Sequence, residues 1–206
     1  AGEMEGSGEL CRIGECSMGN LVADAMLDRV KAQGVTIAII NGGGLRASID
    51  AGEVTMGEVL TVLPFQNTLA TFQLRGSDVV AALENGASQI EKIAGRFSQV
   101  SGLKYTFDIA KPVGSRISDV QVMQGESWKP IDTGATYGVV SNNYMRAGGD
   151  GYKVFATNGV NAYDYGPGLE EVLADYLQKN NPYKPVMDGR ITAASPIAVP
   201  VGSESA

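Results

Sequence analysis

The sequence predicts an α+β fold with a mixed sheet, in one domain. Its 206 residues, 44% of them hydrophobic, are enough to bury one full core. Helix-periodic and strand-like segments mix without the strict strand–helix–strand alternation of a doubly wound parallel sheet. No internal repeat divides the chain.

Ala1 to Glu9 is polar and acidic, without the basic and apolar regions of a signal peptide, and reads as a linker over residues 1–8. The domain is expected over residues 9–193. From Ser17 the apolar residues Met18, Leu21, Val22, Ala25, Met26 and Val30 recur at helical spacing, with Ser17 placed as N-cap and Gly34 as the stop. Val35 to Ile40 is a short apolar run rich in β-branched residues, which predicts a buried strand.

Thr55 to Leu63 predicts a helix, with Thr55 and Glu58 spaced as a capping box and Pro64 ending it. A strand is expected over Thr68 to Leu74 and a helix over Asp78 to Ile93. Strands follow at Leu103 to Phe107, Ile117 to Met123 and Tyr137 to Ser141. A last helix covers Gly168 to Leu177, with a short strand around Gly189 to Thr192. The Pro-, Ser- and Ala-rich residues 194–206 predict a disordered tail.

Several function classes are excluded early. A formal charge of −7 argues against a nucleic-acid polymer as partner. No apolar run approaches the roughly 20 residues that span a bilayer. The chain has no histidine, which removes the usual general base, the Ser–His and Cys–His pairs, and the commonest transition-metal ligand. The chemical step of a hydrolysis is therefore not expected here; an all-carboxylate Mg²⁺ or Ca²⁺ site stays open in principle, and no metal site is assigned. Cys11 and Cys16 are too few for structural zinc and leave either a short-range disulfide or two free thiols.

Two glycine-rich stretches, each following an apolar strand, are the candidates for binding. Asn41-Gly42-Gly43-Gly44-Leu45-Arg46 sets an amide and a guanidinium beside bare backbone. Ser141 to Tyr152 contains Asp150 between glycines, where a carboxylate can accept bonds from a ribose diol or, in a plain turn, from its own backbone. Phe65 and Tyr144 leave apolar elements on loops, where flat rings stack on a heteroaromatic base unless they are core. Arg12 is a further cation suited to phosphate. Asp132-Thr133-Gly134 copies the aspartic-protease tripeptide, but its flanks read as a turn before a strand. Gly42 to Gly44 has neither P-loop nor dinucleotide-fold spacing.

Taken together, Cys11 to Met26, Asn41 to Arg46, Leu63-Pro64-Phe65, Gln99 to Leu103 and Gly148 to Tyr152 resemble, in order and at similar spacing, the 5′-nucleotidase C-terminal domain. The resemblance covers roughly residues 9 to 193. It implies a compact sandwich of mixed sheets and helices that binds the nucleoside part of a nucleotide. An N-terminal metallophosphatase domain, with two divalent metal ions, would carry out hydrolysis outside this chain, so this chain alone is expected to be inactive.

By resemblance, Phe65 and Tyr144 clamp the base, and Asn41 bonds the base or ribose. Asp150 holds the ribose hydroxyls, Arg12 and Arg46 meet ribose and phosphates, and Gly43 gives the ligand backbone to approach. Cys11 and Cys16 resemble a disulfide pair, in keeping with a periplasmic, extracellular or cell-surface protein. The same architecture also serves relatives acting on 2′,3′-cyclic nucleotides, UDP-sugars or sulfur-oxidation substrates. An alternative of another class is a free-standing nucleoside-binding or oligomerising module.

Overall fold

In the computed structural model, which describes residues 1–6 and 8–197, a five-stranded sheet is covered on both faces. Its strands are β1 (Val35–Asn41), β2 (Leu69–Arg75), β3 (Ser98–Ser101), β7 (Thr136–Asn142) and β8 (Val160–Tyr163), in the order β3-β1-β7-β2-β8. The β1–β7 pair is parallel and the other three are antiparallel. A second mixed sheet of four strands has the order β6-β5-β4-β9, from β4 (Leu103–Phe107), β5 (Ile117–Gln124), β6 (Ser127–Pro130) and β9 (Ile191–Ala193). This is the α+β sandwich the sequence predicts.

Strand β1 is apolar on both sides because it is buried on both sides. Ala38 and Ile40 face a core with α1 (Ser17–Val30), α2 (Met56–Val62) and α6 (Leu169–Lys179). Ile37 and Ile39 face a second core with α3 (Gly76–Gly86), α5 (Lys153–Asn158) and the inner face of the smaller sheet. There Phe72 and Phe155 pack at 4.9 Å and Phe97 meets Phe107 edge-on at 5.3 Å. With its sides so covered, β1 ends at Asn41, where its loop begins.

Several expectations are corrected. Met4 is fully buried and exchanges two backbone bonds with Ile49, and Glu5 N–H donates to Ser17 Oγ, so residues 1–6 pack on the domain rather than forming a linker. One methionine in a polar run gives no periodicity to read. The N-cap of α1 is Cys16, whose sulfur accepts from Gly19 N–H, not Ser17.

The helix expected to Ile93 stops at Gly86 and continues as a 3₁₀ turn, Ala87–Lys92. A side chain at Gly86 would meet Ser98 Oγ at 2.3 Å, so the glycine marks where the helix closes on β3. The capping box of Thr55 and Glu58 forms as expected. Ala194 N–H donates to Phe107 and Ser195 Oγ donates to Asp108, so the start of the expected tail is bonded to the smaller sheet. Residues 198–206 lie outside the described ones.

Strand β3 escapes the sequence pattern because it is polar yet buried. Gln99 donates to the carbonyls of Cys11 and Gly14, Ser98 Oγ shares a 2.6 Å bond with Tyr152 OH, and Ser101 Oγ donates to Asp24. Each satisfied bond contributes only about 1 kcal/mol, but leaving such groups unpaired would cost more. The strand ties the segment of residues 11–14, the loop ending at Tyr152 and helix α1 to one frame.

Candidate functional site

The loop after β1 is a 3₁₀ turn, Gly42–Gly44, held flat against its neighbours. Gly42 N–H donates to Phe97 and Gly43 N–H to Gly95, both at 2.8 Å. A side chain at Gly42 would sit 2.0 Å from the Cys11 carbonyl, and one at Gly43 would sit 2.7 Å from Gly95 Cα. These glycines are therefore required by backbone contact; none of the three has positive φ. The turn brings Arg46 to the surface, its guanidinium 5.9 Å from the centre of the Phe65 ring.

The second loop follows β7. Asn142 caps α4 (Asn143–Arg146), its Oδ1 accepting from Met145 N–H at 2.7 Å, and Tyr144 stands in that single turn. Gly148 bends the chain back at φ 98°, and the Tyr144 ring then lies so close over Gly149 that a Cβ there would be 2.5 Å from it. Asp150 follows with φ 53°, a left-handed conformation that an aspartate tolerates better than most residues.

The Asp150 carboxylate accepts from Asn41 Nδ2 at 2.7 Å and from Tyr144 OH at 2.9 Å. The bond to Asp150 holds the Tyr144 phenol above its usual pKa, because ionisation would set two negative charges together. Asn41 is 4% exposed, and its Oδ1 accepts from Asn142 Nδ2. Both ends of the Asn41 amide thus have protein partners. It fixes Asp150, a task beyond the direct ligand bond the sequence suggests.

Arg12 approaches from the segment closed by the Cys11–Cys16 disulfide. Its Nη1 reaches only the Ile93 carbonyl, at 3.4 Å, and its Nε is buried without a partner. Among the described residues neither Arg12 nor Arg46 pairs with a carboxylate. In a chain of net charge −7, two cations without counterions suit an anionic ligand.

Arg12, Asn41, Gly43, Arg46, Phe65, Tyr144 and Asp150 all line one cleft of about 520 Å³. Exposure separates rings that are core from rings that form a surface. Phe72, Phe97, Phe107 and Phe155 are buried, whereas Phe65 is 55% and Tyr144 46% exposed. Gly44, from the glycine-rich stretch the sequence marks, also lines the cleft, as do Asn67 and Gly95, which the sequence does not single out. Asn67 has a signal in its place, two residues after Phe65 in the loop that Pro64 opens. Gly95 has none, since its place depends on Gly43 coming to meet it.

The Asp132 tripeptide is the plain turn expected, with Asp132 Oδ1 accepting from Gly134 N–H. Among the described residues no group of three or more His, Cys, Asp or Glu side chains is arranged to hold a metal ion, and no helix is long and apolar enough to cross a membrane.

Comparison with known proteins identifies the family of the fold. Residues 2–157 match the family described as 5′-nucleotidase, C-terminal domain. The chain is 43% identical over 191 residues to the Trifunctional nucleotide phosphoesterase protein YfkN of Bacillus subtilis (strain 168), covering 91% of this chain and 13% of that protein. A 5′-nucleotidase precursor from Thermus thermophilus superposes with a TM-score of 0.92 at 43% identity, over 95% of this chain and 39% of that one. The NAD nucleotidase of Haemophilus influenzae superposes with a TM-score of 0.84 at 27% identity, over 95% of this chain and 37% of the other. The chain thus spans a minor part of each of these proteins. It belongs to the family of 5′-nucleotidase C-terminal domains.

Proposed function

We propose that this chain binds nucleotides and sets substrate specificity for an exported phosphohydrolase that converts nucleoside phosphates to nucleoside and phosphate. The observation that carries this reading is the convergence in one cleft of two exposed rings, a fixed carboxylate and two arginines that pair with no carboxylate among the described residues. Phe65 and Tyr144 offer π-faces to a base, a contact that contributes on the order of 1–3 kcal/mol per stacked base. Asp150 keeps lone pairs for sugar hydroxyls, and Arg12 and Arg46 supply charge-assisted bonds to phosphate.

Hydrolysis is assigned to a metallophosphatase domain N-terminal to these residues, where two divalent metal ions would act. The described side chains offer no group fitted to hold them, and no catalytic step is assigned to this chain. The Cys11–Cys16 disulfide supports an oxidising compartment, periplasmic or extracellular.

Calorimetric titration of the 206-residue chain with adenosine and AMP tests the reading, repeated on Phe65→Ala and Asp150→Ala. Saturable binding that both substitutions weaken is the expected result. Binding indifferent to both would remove the cleft from consideration.

A further inference from the structure

We infer that Asn85, oriented by Arg96, is a positioning residue that holds Asp150 in its binding conformation; this rests on the reading that Asp150 meets the sugar. Asn41 and Tyr144 fix the Asp150 carboxylate. The Tyr144 hydroxyl also accepts from Asp150 N–H at 3.2 Å. That leaves the carbonyl side of a left-handed residue, at φ 53° and ψ 29°, which carries strain where there is a side chain.

Asn85 holds that side from α3. Its Nδ2 donates to the Asp150 carbonyl at 3.0 Å. Its Oδ1 accepts from Arg96 Nη1 at 3.1 Å, and the same Nη1 reaches Ser88 Oγ at 3.2 Å. A guanidinium can only donate, so Arg96 forces the amide oxygen of Asn85 toward itself and the NH₂ toward Asp150. Arg96 is anchored in turn by Tyr152, whose hydroxyl donates to the Arg96 carbonyl at 2.6 Å.

Gly151 leaves room for the cluster: a Cβ there would sit 2.5 Å from Asn85 Oδ1 and 3.0 Å from Arg96 Nη1. Neither Asn85 nor Arg96 lines the cleft. Arg96 has no carboxylate partner among the described residues. A charged group set on neutral oxygens behind a binding loop orients its neighbour and does not touch the ligand.

The test uses Asn85→Ala and, as a milder second variant, Arg96→Lys in the full chain, with two readouts. The first is the titration of Tyr144 followed by NMR of its labelled ring carbon. In Asn85→Ala the Tyr144 phenol should titrate at lower pH, in the direction Asp150→Ala moves it, with a smaller change in Arg96→Lys. A merely structural role would lower the melting temperature and leave that titration in place.

The second readout is the preference for adenosine over 2′,3′-dideoxyadenosine. Asn85→Ala should reduce it roughly five- to tenfold, and should have no further effect in an Asp150→Ala background. An unmoved Tyr144 titration in both variants overturns the inference. Wild-type chain that binds both nucleosides equally would instead overturn the sugar reading of Asp150, while the titration still decides whether Asn85 positions it.

Discussion

The hydroxyl of Tyr144 donates to Asp150 Oδ1 at 2.9 Å, so the ring placed to stack on a base is tied to the carboxylate placed to hold a sugar. The same hydroxyl oxygen accepts from Asp150 N–H at 3.2 Å, closing the loop on itself. Base and sugar contacts are therefore one coupled unit.

That coupling predicts a graded response at Tyr144. Tyr144→Phe keeps the stacking face and releases Asp150, and should weaken AMP binding by about 0.5–1.5 kcal/mol. Tyr144→Ala should lose roughly a further 1–3 kcal/mol of stacking. Calorimetry on both variants checks the order; equal losses would mean the ring contributes nothing.

Arg46 and Arg12 should discriminate phosphate from nucleoside. Replacing either with alanine is expected to weaken AMP by about 1.5–3 kcal/mol while adenosine changes less. The AMP affinity of the wild type should fall with added salt, more steeply than in either variant. A salt-independent AMP affinity would count against a phosphate role.

Gly43→Ala sets a new Cβ against the backbone of Gly95, at 2.7 Å, where no flexible side chain can give way. It should destabilise the fold by about 1–3 kcal/mol. Gly57→Ala in α2 would place its Cβ 3.8 Å from Thr55 Oγ1, an ordinary contact, and should stabilise by roughly 0.5–1 kcal/mol. Urea denaturation of the pair measures both signs.

Alkali should unfold the domain through its buried phenols. Burial pushes the Tyr105 and Tyr152 hydroxyls above the ordinary tyrosine value, since the phenolate would lose its water. The folded chain therefore keeps protons that the unfolded chain releases near pH 10, taking about 10 as the ordinary value. Their stabilisation is complete below that pH and is lost as pH rises above it. A urea midpoint that stays constant between about pH 9 and pH 11 would contradict this.

The sequence is legible where one local pattern serves one purpose. Apolar β1, the Thr55–Glu58 box and the helical run of α1 all follow from side chains reading their own neighbours. The glycine-flanked charges of the cleft stand out in the sequence as well, whereas Phe65 and Tyr144 are pointed to by the family resemblance, and only the structure shows that they are exposed. What escapes is set by distant partners. β3 is a strand of serines and a glutamine because its hydrogen bonds go to residues 11, 14 and 24. The support that Asn41 gives Asp150 is hidden because Asp150 and Asn142 arrive more than a hundred positions later, at separations of 109 and 101. β8 is an edge strand whose residues are all exposed, so no burial pattern marks it.

The order of the large sheet has a bearing on how the chain folds. Its middle strand, β7, is made late, yet it is the one that separates β1 from β2. Until residues 136–142 are available, β1 and β2 each carry an open edge of apolar strand, and the largest loop closures come last. Such non-local pairing belongs to the slow end of folding rates, on the order of milliseconds to seconds. While residues 73–135 are being made, Ile37, Ile39 and Phe72 have no completed sheet to cover them, a period when a chaperone has the most to protect.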